Sequence, residues 1–276
     1  MPNIIPIGPI TIKLYGLMIA LGVCTGLFIS TKRAKKIGLS VDLIESLLWV
    51  VMLGGFGGSR LIFYITVFPD IVKRPSILWE LSYGYVVYGG ILGGVLAGIC
   101  YIKYKKEPVL SYLDLLMPQV ALAQAIGRIG CLCAGCCYGK PTHLPIGFTY
   151  HTSQFAPIGV ALFPTQIISS MGDFVLFLGL FLYSKKRRTK GMTGGLYFVF
   201  YSMGRFAIEF LRGDVERGGF LWFSTSQWIS IIVFVAALIW IVFLKLHHPK
   251  EVIYIKKISP EQVRRDSLML DNEERL

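Results

Sequence analysis

Long apolar runs separated by short polar segments dominate this chain. A helix needs roughly 20 mostly apolar residues to cross a bilayer. Seven runs approach this length, and they predict membrane helices at 12–30, 43–68, 83–101, 110–129, 165–184, 194–211 and 226–246. The predicted fold class is therefore all-α, a polytopic membrane helix bundle of about seven transmembrane helices.

The basic residues lie mainly in four segments, at or after the ends of the first, third, fifth and seventh runs, and these segments hold 19 of the 28 Lys and Arg residues when Lys245 at the end of the seventh run is included. Because cytoplasmic loops carry an excess of positive charge, the N-terminus is predicted outside and the C-terminus in the cytoplasm. Residues 1–246 form the predicted bundle with an outer loop over 130–164, and residues 247–276 form a charged cytoplasmic tail. Residues 1–12 have no basic residue, so no cleavable signal peptide is expected.

The composition fits a membrane protein better than a soluble one. Only 16% of the residues are charged and the mean hydropathy is +0.61, whereas a soluble domain carries about 25% charge. A net charge of +12 in a soluble protein would suggest nucleic-acid binding. Here the basic residues lie between apolar runs, which indicates topology and contact with anionic lipid headgroups, so nucleic acid is not an expected partner.

Charged side chains inside the predicted helices are the clearest functional signal, because charge at membrane depth is costly and usually faces a protein interior or a cavity. The residues in this position are Arg60, Arg128, Arg205 and Glu209.

The sixth run places several polar groups on one helix face. At 100° per residue, an arc of about 80° contains Tyr201, Arg205, Glu209 and Arg212. Arg205 and Glu209 are four residues apart and can form an ion pair. One interpretation is a buried salt bridge that holds helices in register. The other is a polar cavity for an anionic headgroup, since arginine donates two parallel hydrogen bonds to phosphate.

Three further residues could belong to such a cavity. Arg128 lies between Gly127 and Gly130. One interpretation is an arginine whose side chain reaches the membrane interface. The other is that the flanking glycines shape a tight backbone that directs the guanidinium at a ligand. Tyr15 and Tyr88 precede glycines near the start of predicted helices, where tyrosine is more often an interfacial anchor.

Two glycine-rich stretches fall in the second and third runs. They contain Gly54, Gly55, Gly57 and Gly58, and then Gly89, Gly90, Gly93 and Gly94. Glycines four residues apart allow helix backbones to approach closely. Close packing and an opening for a lipid both remain possible interpretations.

Four of the six cysteines form a cluster that resembles metal-ligand spacing: Cys131, Cys133, Cys136 and Cys137. The predicted outer location makes a disulfide an alternative. The sequence offers no second, separated Cys or His pair, so free thiols without a catalytic role are favoured. No metal and no cofactor are expected. Cys24 and Cys100 lie in apolar runs and are expected to be small buried hydrophobes.

Six sequence pieces occur in the order typical of one enzyme family. They are 7–9 with 15–18, 54–60, 88–93, 127–130 with 138–140, 164–166, and 204–205 with 209–212. On these pieces the chain resembles the prolipoprotein diacylglyceryl transferase family over about residues 3–246.

The resemblance implies a function in the bacterial inner membrane. Such an enzyme moves the diacylglyceryl group of phosphatidylglycerol to the thiol of the lipobox cysteine in a preprolipoprotein signal peptide. This is the first step of lipoprotein maturation, and it forms a thioether and releases glycerol phosphate. The implied catalytic residues are Arg128, Arg205, Tyr88 and Glu209. The implied substrate-binding residues are Arg128, Tyr15, Tyr201, Gly89, Gly90, Gly139 and Arg212.

The chain departs from the family pattern at three positions. The family usually has Asn at the position of Cys131, often an acidic residue at that of Cys136, and often a histidine, considered as a base, at that of Tyr88. The mechanism we expect is that Arg128 and Arg205 hold the phosphate while Glu209 orients Arg205. Tyr88 and Tyr15 would position the headgroup or relay a proton.

Other function classes are compatible with a charged membrane bundle. A related membrane transferase could use another lipid or acceptor, and a transporter or a membrane scaffold could also bury charged residues. Transporters often have matching broken helices in two halves, and the sequence does not show this pattern.

Overall fold

The computed structural model describes residues 4–7, 10–80, 84–185, 189–214 and 218–247, and these residues are predominantly helical. The helices are α1 (Leu14–Ile37), α2 (Val41–Thr66), α3 (Phe68–Lys73), α4 (Val87–Tyr104), α5 (Val109–Ala134), α6 (Thr165–Tyr183), α7 (Met192–Glu209) and α8 (Thr225–His247), with a 3-10 turn at Pro75–Leu78. The described residues also form three antiparallel strand pairs, namely β1 (Ile4–Ile7) with β2 (Ile10–Lys13) before α1, β3 (Phe148–Thr149) with β4 (Ala161–Leu162) between α5 and α6, and β5 (Gly219–Phe220) with β6 (Phe223–Ser224) between α7 and α8.

Six of the described helices are long and apolar enough to cross a membrane: α1, α2, α4, α5, α6 and α8. Each coincides with a predicted run, so the all-α membrane fold is confirmed. The remaining run forms α7, an 18-residue helix that is less apolar because it contains Arg205 and Glu209. The outer N-terminus and cytoplasmic C-terminus stay predictions. The predicted tail lies outside the described residues beyond His247.

The chain forms two compact units, one comprising Met1–Gly38 with Leu110–Leu276 and the other comprising Leu39–Val109. In the second unit, α2 and α4 pack backbone to backbone. A Cβ atom added to Gly58 would lie 2.8 Å from Gly93 Cα, and one added to Gly89 would lie 2.8 Å from Ile62 Cβ. The glycines therefore provide the close helix contact that small residues allow in membranes.

Arg60 has a structural position in the second unit. The side chain is buried, and its Nε donates to the Tyr64 hydroxyl at 2.8 Å. Its Nη2 donates to the carbonyl oxygens of Glu80 at 2.8 Å and Ile77 at 3.3 Å. A planar guanidinium can satisfy several carbonyl groups at once, so Arg60 fixes the segment that connects α3 to α4.

In the first unit, Asp114 determines where α7 begins. Its Oδ2 accepts a hydrogen bond from the Gly191 amide at 2.8 Å, and its Oδ1 accepts one from the Gly194 amide at 2.9 Å. The first amides of a helix lack partners within the helix, and a carboxylate there also interacts favourably with the helix dipole. The buried Asp114 of α5 thus caps α7 from a neighbouring helix and fixes the two helices relative to each other.

Candidate functional site

A cavity of about 730 Å³ is bounded by α5, α6 and α7. Its polar lining includes Arg128 from α5, Asp173 from α6, and Tyr201 and Arg205 from α7. The other walls are mostly apolar, with Leu176, Phe200 and Ile208 among their residues. The cavity therefore combines two cations with a surface that suits hydrocarbon.

Glycines leave much of this space open. Gly172 and Gly179 of α6 and Gly204 of α7 line the cavity. A Cβ atom added to any of them would meet no atom within 4 Å. These glycines thus differ from Gly58 of α2 and Gly89 of α4, which are in close contact with a neighbouring helix.

Arg205 is held by two neighbours. Its Nη1 lies 2.8 Å from Glu209 Oε2, and its Nη2 donates to Ser226 Oγ at 3.0 Å. The ion pair that the four-residue spacing predicts is therefore present on one face of α7. Glu209 Oε1 also accepts a hydrogen bond from Ser224 Oγ at 3.1 Å. Side chains from the β6–α8 region thus fix this pair in one orientation.

Arg128 has a looser ionic contact. Its Nε lies 3.9 Å from Asp173 Oδ2, which is beyond hydrogen-bond distance. Asp173 Oδ2 is buried and makes no hydrogen bond among the described residues. Arg128 also interacts electrostatically with Arg205 and with Tyr201. The guanidinium is therefore positioned at the cavity with donors that a phosphate could use.

Tyr201 is positioned by stacking. Its ring packs on that of Tyr197, with centroids 5.5 Å apart and planes at 10°. The Tyr197 hydroxyl donates to Gln124 Oε1 at 2.9 Å. Because α5 thereby anchors Tyr197, the phenol of Tyr201 has a fixed place beside the two arginines.

Arg212 lies beyond the end of α7, so its predicted place on that helix face is wrong. The last turn closes with hydrogen bonds between residues three apart, including Arg212 N to Glu209 O at 3.3 Å. The chain then pairs with the loop between α5 and α6, where Gly139 forms an antiparallel β-bridge with Arg212 and the Gly213 amide donates to Tyr138 O at 3.0 Å. This backbone pairing replaces the helix that periodicity predicts.

The Arg212 side chain nevertheless remains close to the predicted group. Its Nε lies 4.0 Å from Glu209 Oε2, and two hydrogen bonds of 2.8 Å connect it to the Asp214 carboxylate. Gly139 has no room for a side chain, because a Cβ atom there would lie 2.8 Å from Phe163 Cβ. Gly139 therefore serves the pairing of the loop with Arg212.

The end of α5 brings three cysteine sulfurs together. Gly135 adopts a φ of 73°, the Cys136 amide donates to Cys131 O at 3.2 Å, and the Gly135 amide donates to Leu132 O at 3.2 Å. These are the two hydrogen bonds of a Schellman motif, which turns the chain back over the last helical turn. The Sγ atoms of Cys131, Cys136 and Cys137 consequently all lie within 4.8 Å of one another.

The cluster carries free thiols and adjoins the cavity residues. Cys131 and Cys137 interact electrostatically with Arg128. Hydrogen bonds from the Cys131 and Cys136 thiols lower the pKa of Cys137, and the charge of Arg212 lowers it further. Cys137 also has a φ of 59°, which is uncommon for a residue with a side chain.

Comparison with known proteins settles the family. A family model described as prolipoprotein diacylglyceryl transferase matches residues 2–243. The chain belongs to this family. A relative from Clostridium tetani named phosphatidylglycerol–prolipoprotein diacylglyceryl transferase is 46% identical over 221 residues, 80% of this chain and 88% of the relative. One from Clostridium perfringens, named phosphatidylglycerol–prolipoprotein diacylglyceryl transferase 2, is 40% identical over 239 residues, 86% of this chain and 93% of the relative.

The structure places the predicted site residues of this prolipoprotein diacylglyceryl transferase family member in two groups. Arg128, Arg205 and Tyr201 line one cavity, with Glu209 paired to Arg205. Tyr15, at the start of α1, interacts electrostatically with Arg128 and with the cysteine cluster. The second group is in the other unit and consists of Tyr88, Gly89 and Gly90.

The roles of both groups stay predictions, and the second group lies at the start of α4. Tyr88 is the second residue of α4, and its side chain is partly exposed. Gly89 is buried against α2, and a Cβ atom added to Gly90 would lie 3.3 Å from Gly55 O. Both glycines thus have a packing role.

Sequence reasoning missed Asp173, the carboxylate beside Arg128. Its signal was available, because Asp173 is an acidic residue in the middle of an apolar run. Ser226, which contacts Arg205, had no comparable signal, since a serine at the start of a helix is ordinary.

Proposed function

We propose that this chain transfers the diacylglyceryl group of phosphatidylglycerol to the lipobox cysteine of preprolipoproteins in the bacterial inner membrane. The product is a thioether, and glycerol phosphate leaves. One observation supports this function above all: Arg128 and Arg205 line the same largely apolar cavity. The names of the relatives from Clostridium tetani and Clostridium perfringens agree with it.

The two arginines would act on the phosphate. Negative charge grows on the leaving phosphate in the transition state, and fixed cations stabilise it most where solvent screening is weak. Glu209 and Ser226 hold Arg205 before substrate arrives. The protein therefore spends little reorganisation energy when the charge develops.

The apolar walls would hold the acyl chains. A cavity of about 730 Å³ lies within the usual range of roughly 300–1,000 Å³ for small-molecule sites. The glycines at 172, 179 and 204 provide width where hydrocarbon would lie. Because the arginines and the hydrocarbon surface share one cavity, the lipid would bind with its phosphate and its chains in defined places.

The acceptor must react as a thiolate, because a thiol is a poor nucleophile. The thiolate sulfur would attack the glyceryl methylene carbon as the carbon–oxygen bond to phosphate breaks. The positive field of Arg128 and Arg205 favours the ionised form of a nearby thiol. Tyr15 and Tyr201 would position the headgroup beside these cations.

The test is a transfer assay with purified full-length chain in lipid nanodiscs. Phosphatidylglycerol and a lipobox peptide should give a peptide whose cysteine carries the mass of one diacylglyceryl group. A peptide with serine in place of the cysteine should gain nothing. Absence of product with the cysteine peptide would refute the proposed reaction, and equal use of phosphatidylethanolamine would refute the lipid assignment.

The Arg128→Ala variant tests the phosphate clamp. Its transfer rate should fall by about 10²–10³-fold, as for removal of one preorganised donor to a developing anion. Arg74→Ala provides the control, since Arg74 belongs to the unit Leu39–Val109 and its side chain is 69% exposed. Transfer by Arg128→Ala at the rate of the control would reject the clamp.

A further inference from the structure

The cysteine cluster has the geometry of a thiophilic metal site. A tetrahedral zinc centre with Zn–S bonds of about 2.3 Å has sulfurs roughly 3.8 Å apart. The sulfurs of Cys131, Cys136 and Cys137 lie within 4.8 Å of one another, so small side-chain rotations would bring them onto one ion. The cluster comprises three members among the residues that the structure describes.

The backbone is shaped to produce this cluster. Gly135 supplies the left-handed turn of the Schellman motif, and Cys137 adopts a positive φ as well. A side chain at Gly135 would meet Ser153 and the Tyr150 ring, so the loop closes tightly over the turn. Positive φ at a residue with a side chain costs free energy and often occurs where a ligand is bound. If the cysteines only packed as small hydrophobic residues, the positive φ at Cys137 would not be required.

The charges around the sulfurs also suit a metal site. Three thiolates with one Zn²⁺ have a net charge of −1. Arg128 interacts electrostatically with Cys131 and Cys137, and Arg212 interacts with Cys137. These cations can compensate the excess negative charge in a partly buried place.

Three protein ligands leave one position open. Structural zinc sites almost always have four protein ligands, whereas catalytic sites have three and bind water or substrate in the fourth position. Arg128 both lines the lipid cavity and interacts with this cluster. An acceptor held at the cluster would therefore be close to a lipid phosphate held at Arg128.

We propose that Cys131, Cys136 and Cys137 bind one Zn²⁺ whose open position takes the acceptor cysteine of the lipobox peptide. This inference rests on the proposed function for the identity of the acceptor. The acceptor thiol loses its proton to water as its sulfur binds the zinc, since a coordinated thiol is deprotonated. The zinc thus supplies thiolate at neutral pH without a dedicated protein base.

The transfer step balances without any further reactant. A sulfur lone pair of the thiolate forms the carbon–sulfur bond to the glyceryl methylene carbon. The carbon–oxygen bond breaks, and its electron pair leaves with glycerol phosphate. The thioether is a weaker ligand than a thiolate and dissociates, so water or the next acceptor occupies the position. Zinc remains Zn²⁺ throughout.

Metal content provides the first test. Full-length chain purified in detergent should contain about one zinc per chain by inductively coupled plasma mass spectrometry. Serine substitutions at Cys131, Cys136 and Cys137 should each lower this to about a tenth or less. Cys133→Ser is the matched control, because Cys133 lies on the same helical turn but outside the group. Wild-type chain that contains no zinc and takes up none on titration would overturn the proposal.

A second test uses the wild-type chain and so does not depend on variants that fold. After chelation, Co²⁺ is added, and its thiolate charge-transfer absorption is recorded. Addition of a lipobox peptide should strengthen this band as a fourth thiolate joins, and the serine peptide should not. An unchanged spectrum with the cysteine peptide would reject the open position.

Transfer assays separate the two proposals. Removal of zinc should lower thioether formation by about 100-fold or more, the usual effect of losing proton removal from a nucleophile, and added Zn²⁺ should restore it. Full transfer by zinc-free chain rejects the zinc step and leaves the proposed function standing. Cobalt spectra that respond to the peptide, together with no product from phosphatidylglycerol, support the metal site and reject the proposed lipid transfer. A disulfide between any two of the three cysteines in unreduced active protein also rejects the site.

Discussion

Arg205 offers the sharpest test of how charge is used in the cavity. The Arg205→Ala variant removes a guanidinium that lies 2.8 Å from Glu209, and the two side chains are only 15% and 6% exposed. Two effects are expected, one on the transition state and one on the folded protein. They can be separated, because a second substitution at Glu209 corrects only the effect on folding.

The size of each effect follows from the contacts. Two unit charges 4 Å apart at an effective dielectric constant of about 20 interact by about 4 kcal/mol, which corresponds to about a thousandfold in rate. Loss of one partner of a buried ion pair costs about 3–5 kcal/mol of stability. Arg212 Nε lies 4.0 Å from Glu209 Oε2, the oxygen that pairs with Arg205, so Arg212 offsets part of this loss of stability. We therefore expect transfer to fall by about 10³-fold with a loss of stability near the lower end of this range.

The double variant Arg205→Gln with Glu209→Gln separates the two effects. It replaces the ion pair by two amides that can hydrogen-bond to each other and leaves no uncompensated charge, so its stability should return close to that of the wild type. Its transfer rate should stay about 10³-fold low, because no cation replaces Arg205.

The assay is the initial rate of thioether formation on a fluorescent lipobox peptide in nanodiscs, with thermal unfolding followed by tryptophan fluorescence. If the double variant transfers within about tenfold of the wild type, Arg205 serves only to neutralise Glu209. That result would refute the electrostatic account of the cavity.

Two further predictions concern the cavity wall and the cap of α7. Gly179→Phe should lower the transfer rate about tenfold or more by occupying space for the lipid. The control Gly57→Phe in α2, where a Cβ atom also meets nothing within 4 Å, should leave the transfer rate unchanged. Equal transfer rates for the two variants would show that lipid does not use the cavity. Asp114→Ala should lower the free energy of unfolding by about 2–4 kcal/mol and lower the thermal midpoint, because two buried amides lose a charged acceptor. The control Asp42→Ala, at an exposed residue, should leave the midpoint nearly unchanged. An unchanged midpoint for Asp114→Ala would show that α7 needs no cap from α5.

The sequence by itself determined the helices and the contacts within a single helix. Apolar runs of about 20 residues have to become helices in a membrane, because each backbone amide must find its partner within the same segment. The Arg205–Glu209 pair could be predicted for the same reason, since both residues belong to one helix and its period sets their distance. The family also followed from local pieces in order.

Only the tertiary structure decided which distant groups meet. Nothing in the local sequence pairs Asp173 with Arg128, caps α7 with Asp114, or ends α7 at Glu209 so that Arg212 pairs with Gly139. These contacts join different elements, and they depend on how helices pack rather than on the period of any one helix. The cysteine cluster is an intermediate case, because its spacing was visible but its convergence required the turn at Gly135.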